Sequence, residues 1–167
     1  MTLRIPDIDS SPRSIQNAMA IPMETVMNQA TVVNPTTRDA MDAHLAANKE
    51  IVRDFLENTI NQGNFAAAAV HFGPQYVQHN PMIRDGIEGI RKHMTDLRKQ
   101  FPELRAEVKR LVAEGDLVIA HLHARRTPID PGLAIVDVFR LDGGKLVEHW
   151  EVRQPVPETA VHDNGMF

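Results

Sequence analysis

The chain has 167 residues, 43% of them hydrophobic and 24% charged, with 18 Lys and Arg against 22 Asp and Glu for a formal net charge of −4. That suits one globular domain with an appendage and argues against a nucleic-acid protein, since Arg125-Arg126 is the nearest thing to a basic patch. The lack of cysteine excludes thiol catalysis, disulfides and cysteine-held metal centres, and no apolar run is long enough to span a membrane.

Residues 1–37 show no steady period. They carry Pro6, Pro12, Pro22 and Pro35 among small polar residues, which predicts an N-terminal extension. The apolar Ile21, Met23, Val26 and Met27 allow a second reading, an arm that packs on a partner subunit. The opening MTLRIPDIDSSPRS lacks the basic start and apolar stretch of a signal peptide. The expectation is a cytoplasmic protein acting on something small.

A domain is expected over 38–167. Leu45, Val52, Phe55, Leu56 and Ile60 recur at helical spacing, and Asn61-Gln62-Gly63 ends the run. A short helix follows over Asn64–His71, then a short strand at Tyr76–Asn80 stopped by Pro81. Asp85 and Glu88 have the spacing of a capping box, and Ile87, Ile90, Met94, Leu97 and Phe101 mark one face of the helix behind it. After Pro102 the period changes to two. Strands are predicted from Leu104, over Leu117–Thr127, over Ala134–Leu141 and over Lys145–Gln154, with a hairpin turn at Asp142-Gly143-Gly144. Helices followed by a strand meander predict an α+β fold, an antiparallel sheet with helices on one face.

Alternation assigns faces to the strands. If Leu117, Ile119, His121 and His123 lie under the helices, together with Ile135, Asp137, Phe139 and Leu141, and with Leu146, Glu148, Trp150, Val152 and Gln154, a mostly apolar concave side holds four ionisable groups. Asp137 interrupts the apolar run AIVDVFR. An acid there loses hydration, which favours its protonated form and suits it to proton transfer. A purely structural hydrogen bond to a histidine or to Arg140 explains it as well. The HLH of residues 121–123 admits a metal reading with His79 or His149 as third ligand, but no familiar ligand spacing follows it. In YVQHNP, Tyr76, Gln78 and Asn80 share one face and Val77 and His79 the other, so parity leaves open which set looks inward.

The ordered set YVQHNP…DGIEGIRKHM, EGDLVIAHLH, IVDVFRLDGGKLVEHWEVRQ and NGMF resembles the SnoaL-like polyketide cyclases of the nuclear transport factor 2-like superfamily, over about residues 40–167. The resemblance implies a cone-shaped α+β barrel: a curved antiparallel sheet with helices covering a deep pocket, and a homodimer or higher homo-oligomer packed through the outer sheet face. It implies Asp137 as general acid/base, with His121 or His123 as its partner. Tyr76, His79, Asn80, Phe139, Trp150 and Gln154 are expected to orient the ligand. No metal and no organic cofactor would be needed. The expected substrate is a small, apolar, carbonyl-containing compound that undergoes aldol-type cyclisation or isomerisation. A non-catalytic small-ligand binding protein with the same pocket is the alternative.

Overall fold

The computed structural model describes residues 34–167. Nearly all of the expected N-terminal extension therefore lies outside the described residues. Helix α1 spans Pro35–Leu56. Proline suits the first turn of a helix, where its missing N–H is not needed. Asn48, Val52, Phe55 and Leu56 form its buried stripe at helical spacing. The helix then widens into a π-turn over Glu57–Asn61, in which the Gln62 N–H donates to Glu57 O at 2.9 Å. The wider turn buries Thr59 and brings Asn61 to β2 (Arg105–Glu114). There the Ala106 N–H donates to Asn61 Oδ1 at 2.8 Å, and Asn61 Nδ2 donates to Ala106 O at 3.0 Å.

Helix α2 covers Phe65–Ala68, capped by Asn64, whose Oδ1 accepts from the Ala67 N–H at 3.1 Å. Strand β1 is Phe72–Gln78 and helix α3 is Gly86–Gln100. Asp85 occupies the N-cap position of α3, but its carboxylate makes no capping bond. It accepts instead from the Gln78 N–H at 2.8 Å, while Glu88 pairs with Arg91. The capping box expected from sequence is thus replaced by a tie between the start of α3 and the end of β1.

The remaining strands are β3 (Leu117–Arg125), β4 (Leu133–Asp142) and β5 (Lys145–Pro155). The five strands form one sheet in the order β1-β5-β4-β3-β2. The α+β class agrees with the sequence expectation. The sheet is mixed rather than wholly antiparallel, because β1 joins β5 in parallel. It is also open, with β1 and β2 as its edges. Gly143 and Gly144 turn the β4–β5 hairpin at φ 54° and 75°, a pair of left-handed residues that glycine adopts without strain.

One irregularity decides what the sheet displays. Leu141 is opposite Leu146, yet Arg140 is opposite Glu148. Val147 is the extra residue, a β-bulge that reverses the facing of everything after it on β5. Gly73 of β1 makes room for it, since a Cβ at that position would lie 2.8 Å from Val147 Cγ1. The core runs between the sheet and the helices. Phe72 meets Phe55 edge-on at 5.3 Å between centroids, and Phe55 meets Phe139 edge-on at 5.8 Å.

Candidate functional site

A cavity of about 130 Å³ lies between the inner face of the sheet and helices α1 and α3. Most of its wall is apolar, from residues such as Phe55, Ile90, Leu97, Leu122 and Ile135. At its base the strands bring four polar groups: Tyr76 of β1, Asp137 of β4, and His149 and Glu151 of β5. Asp137 faces inward by regular alternation on β4. His149 and Glu151 face inward only because of the bulge at Val147, after which His149 is opposite Phe139 and Glu151 opposite Asp137.

His149 Nε2 lies 3.3 Å from Asp137 Oδ1, with 6% and 8% of the two side chains exposed. The other ring nitrogen, Nδ1, is 3.0 Å from Gln78 Oε1. That oxygen also receives the Asn80 N–H at 2.9 Å, so an oxygen must be the Gln78 atom there and Nδ1 must donate to it. Nε2 then faces a carboxylate oxygen. Two acceptors at this range attract only if one of them carries a proton. An acid and an imidazole thus stand side by side at a distance over which a proton on either could be shared. Neither atom makes an aligned hydrogen bond within the described protein, which leaves both able to engage a ligand. Phe139 supports the arrangement, stacked against the His149 ring at 4.7 Å.

Tyr76 is buried, and neither its hydroxyl nor the nearby Gln78 Nε2 has an aligned partner among the described residues. Burial, with the charge of Asp137 behind it, raises the phenol well above its ordinary range. Tyr76 therefore keeps its proton and acts as a donor. Glu151 accepts from Asn80 Nδ2 at 2.8 Å. Its carboxyl is raised from the ordinary range, first by burial and then by Asp137, and the Asn80 bond and Arg153 offset part of this. Asp137, His149 and Glu151 offer ligand atoms within 4.8 Å of one another, an arrangement that could also receive a divalent cation. Toward solvent the lining changes sign: His93, Arg126 and Arg153 contribute to it, and both arginines are exposed. His93 is lowered from the usual histidine range by burial first and the Arg153 charge second.

The sequence expectations divide cleanly by face. Asp137, Tyr76 and Phe139 line the cavity, and Asn80 is buried with its amide on the lining residue Glu151. His121 and His123 do not line it: Val118, Ala120, Leu122 and Ala124 are the buried residues of β3. The two histidines stack on Phe167 instead, at 5.5 and 4.3 Å between centroids, and His123 Nε2 contacts Pro131 O at 2.8 Å. Trp150, Gln154 and Glu148 were also expected inward, and the bulge turns all three outward. His79 follows its parity to the outer face. There it stacks on Trp150 at 4.7 Å and meets Glu148 Oε1 at 2.8 Å, while Arg140 Nε holds Glu148 Oε2 at 2.7 Å. A metal set joining His121 and His123 to His149 is split between the two faces of the sheet. Sequence reasoning missed Glu151 as a cavity group, left open whether the face of Gln78 looks inward, and considered His149 only as a metal ligand.

An open mixed sheet packed under helices, with ionisable groups at the base of a cavity between them, defines an α+β pocket domain. The chain belongs to the SnoaL-like domain family, whose model matches residues 52–149. Solved structures of the same fold include AclR from Streptomyces galilaeus, 24% identical with a TM-score of 0.57, over 66% of this chain and 90% of that one. A candidate polyketide cyclase from Bacillus cereus is 20% identical with a TM-score of 0.58, over 72% of this chain and 80% of that one. A SnoaL-like protein of unknown function from Burkholderia thailandensis is 18% identical with a TM-score of 0.57, over 65% and 96%. No curated protein matches the chain. Among the described residues no helix is long and apolar enough to cross a membrane.

Proposed function

We propose that the chain is a cofactor-independent enzyme that moves a proton on a small carbonyl compound, an isomerase or an intramolecular aldol cyclase. The observation that carries this reading is the buried Asp137–His149 pair, 3.3 Å apart, beside the Tyr76 hydroxyl in the same apolar cavity. In the forward step Asp137, next to a protonated His149, takes a proton from the carbon adjacent to the substrate carbonyl. The electron pair of that C–H bond moves onto the carbonyl oxygen, and Tyr76 donates a hydrogen bond to the resulting enolate. Return of the proton to a different carbon completes an isomerisation. Attack of the enolate carbon on a second carbonyl, followed by protonation of the new alkoxide from the same pair, completes a cyclisation. Gln78 fixes the histidine tautomer and Asn80 holds Glu151 in place. On this reading His121, His123, His79, Trp150 and Gln154 take no part in the chemistry, and Phe139 supports His149 from beneath.

Size supports a modest substrate. A cavity of about 130 Å³ is near the roughly 150 Å³ that accommodates benzene, and below the roughly 300–1,000 Å³ of drug-sized sites. A compound of about one ring fits better than a multi-ring polyketide. The outer sheet face, with Val112, Ile119, Val136 and Val152 exposed, is the surface we assign to a second copy of the chain, checked by sedimentation.

The test is hydrogen–deuterium exchange at the carbon next to the carbonyl of a one-ring ketone, followed by NMR in D2O. Wild type accelerates exchange, and Asp137→Asn abolishes it while melting as a folded protein. Exchange that survives in a folded Asp137→Asn variant refutes the assignment. A ligand retained in native mass spectrometry and never converted supports the binding-protein alternative.

A further inference from the structure

The polar lining of the cavity is ordered by sign, and that order specifies one end of the ligand. Acids and the phenol lie at the buried base, and Arg153 and Arg126 at the exposed side. The β4–β5 register places Arg153 opposite Ile135, two residues along from Asp137 opposite Glu151. At about 3.3 Å per residue, Arg153 stands about 7 Å along the sheet from Asp137, roughly the length of one six-membered ring with a substituent.

Arg153 is only loosely engaged by the protein. Its nearest acid is Glu151, with Nε to Oε1 at 3.5 Å, too long for a good hydrogen bond. The guanidinium carries five N–H donors in a fork that matches a carboxylate, so donors remain for a ligand. Arg126 lies with its guanidinium carbon 5.3 Å from the centroid of the Phe101 ring, a cation–π contact that restrains it. Among the described residues its guanidinium makes no ion pair within 4 Å. Asp130, the acid nearest it in sequence, instead accepts backbone N–H groups of Arg126 and Gly132 at 3.1 and 2.9 Å. His93 sits beside Arg153 on the same wall and contributes no negative charge.

We propose that the ligand is a small organic carboxylate of about one ring, with its charged end between Arg153 and Arg126 and its carbonyl reaching Tyr76 and Asp137. This specifies the substrate class for the proton-transfer reading above and rests on it for the role of the buried end. An anion at the exposed side fixes which way the molecule enters. The apolar wall carries its ring, and the carbonyl end is delivered to Tyr76, Asp137 and His149, whose buried polar atoms lack aligned partners among the described residues. A neutral analogue of the same shape gains the apolar contacts and loses the orientation.

The probes are 4-acetylbenzoate, with a carboxylate and an enolisable ketone across one ring, and its uncharged methyl ester. Binding is measured by titration calorimetry, and exchange of the acetyl protons in D2O by NMR, on the full chain. The acid is expected to bind about ten- to a hundredfold more tightly than the ester, the usual range for a charge-assisted contact. Arg153→Gln and Arg126→Gln each weaken binding of the acid and leave the ester unchanged. Equal affinity for acid and ester, or arginine variants that bind the acid normally, overturns the anion seat. So does failure of both probes to bind at millimolar concentration. Arginine-dependent binding without Asp137-dependent exchange upholds the anion seat and overturns the proton-transfer reading instead.

Discussion

Replacing Tyr76 by phenylalanine separates stability from chemistry. The Tyr76 hydroxyl is buried and has no aligned partner among the described residues, and the ring packs edge-on against Phe72 at 4.7 Å between centroids. Tyr76→Phe keeps the ring and removes only the oxygen. A buried polar group without a partner costs about 1–3 kcal/mol, so at the low end the variant gains about 1 kcal/mol. For a domain of this size that is a rise of about 2–4 °C in Tm. The same oxygen is the donor assigned to the enolate, and loss of one such donor lowers turnover by about 10²–10³-fold. The expected variant is thus more stable and less active. Thermal denaturation followed by circular dichroism gives the first quantity, and deuterium exchange at the substrate carbon gives the second. A variant that melts lower than wild type and exchanges at the wild-type rate refutes the argument on both counts.

Three further outcomes are expected. Glu151 is raised from its ordinary range in the folded state, so the folded protein binds its proton more tightly than the unfolded chain does. The stability it contributes is full below the unfolded value, near 4.5, and is lost as pH rises through the folded one. Glu151→Gln removes that loss while keeping an acceptor for Asn80. Its Tm advantage over wild type should grow as pH increases from about 4.5, and an advantage that shrinks with pH contradicts the sign. His121→Ala and His123→Ala, on the outer face, should leave kcat/KM within about twofold and cost less than about 1 kcal/mol of stability; a loss of a hundredfold or more would return these histidines to the chemistry. Dialysis against a chelator should leave turnover unchanged, and a loss restored by one divalent ion would transfer the role of the pair to a cation held by Asp137, His149 and Glu151.

The element order was legible in the sequence because each helix and strand carries its own period and its own stop. Asp137 was legible because β4 alternates without interruption and offers only one sensible inner face. Strand β3 is different. Both of its faces are rich in small or branched apolar residues, and choosing between Ile119 with the histidines and Val118, Ala120, Leu122 and Ala124 needs a partner strand whose facing is already known. Pairing supplies it, since Ala120 lies opposite Asp137. On β5 the obstacle was a single residue. Val147 follows the hairpin glycines with no distinguishing chemistry of its own, and the cue that it bulges lies in Gly73, far away in sequence. The parallel pairing of β1 with β5 was hidden for a related reason, because nothing local to either strand specifies which neighbour it takes. What could have been read locally is that Trp150 and Val152 suit one face of the strand, while His149, Glu151 and Arg153 form a graded polar set on the other.

The Asn61 carboxamide has a bearing on how the protein behaves at high concentration. It pairs with Ala106 as a strand residue would, so one side-chain amide closes the start of the exposed edge of β2. An open edge is a template for another chain. Fraying of the π-turn alone, with the sheet intact, would uncover that template. The step that governs self-association is then a local one at the end of a helix, with a cost well below that of global unfolding. Asn61→Ala should form aggregates at temperatures where the domain is still folded, a behaviour that light scattering would register before circular dichroism changes.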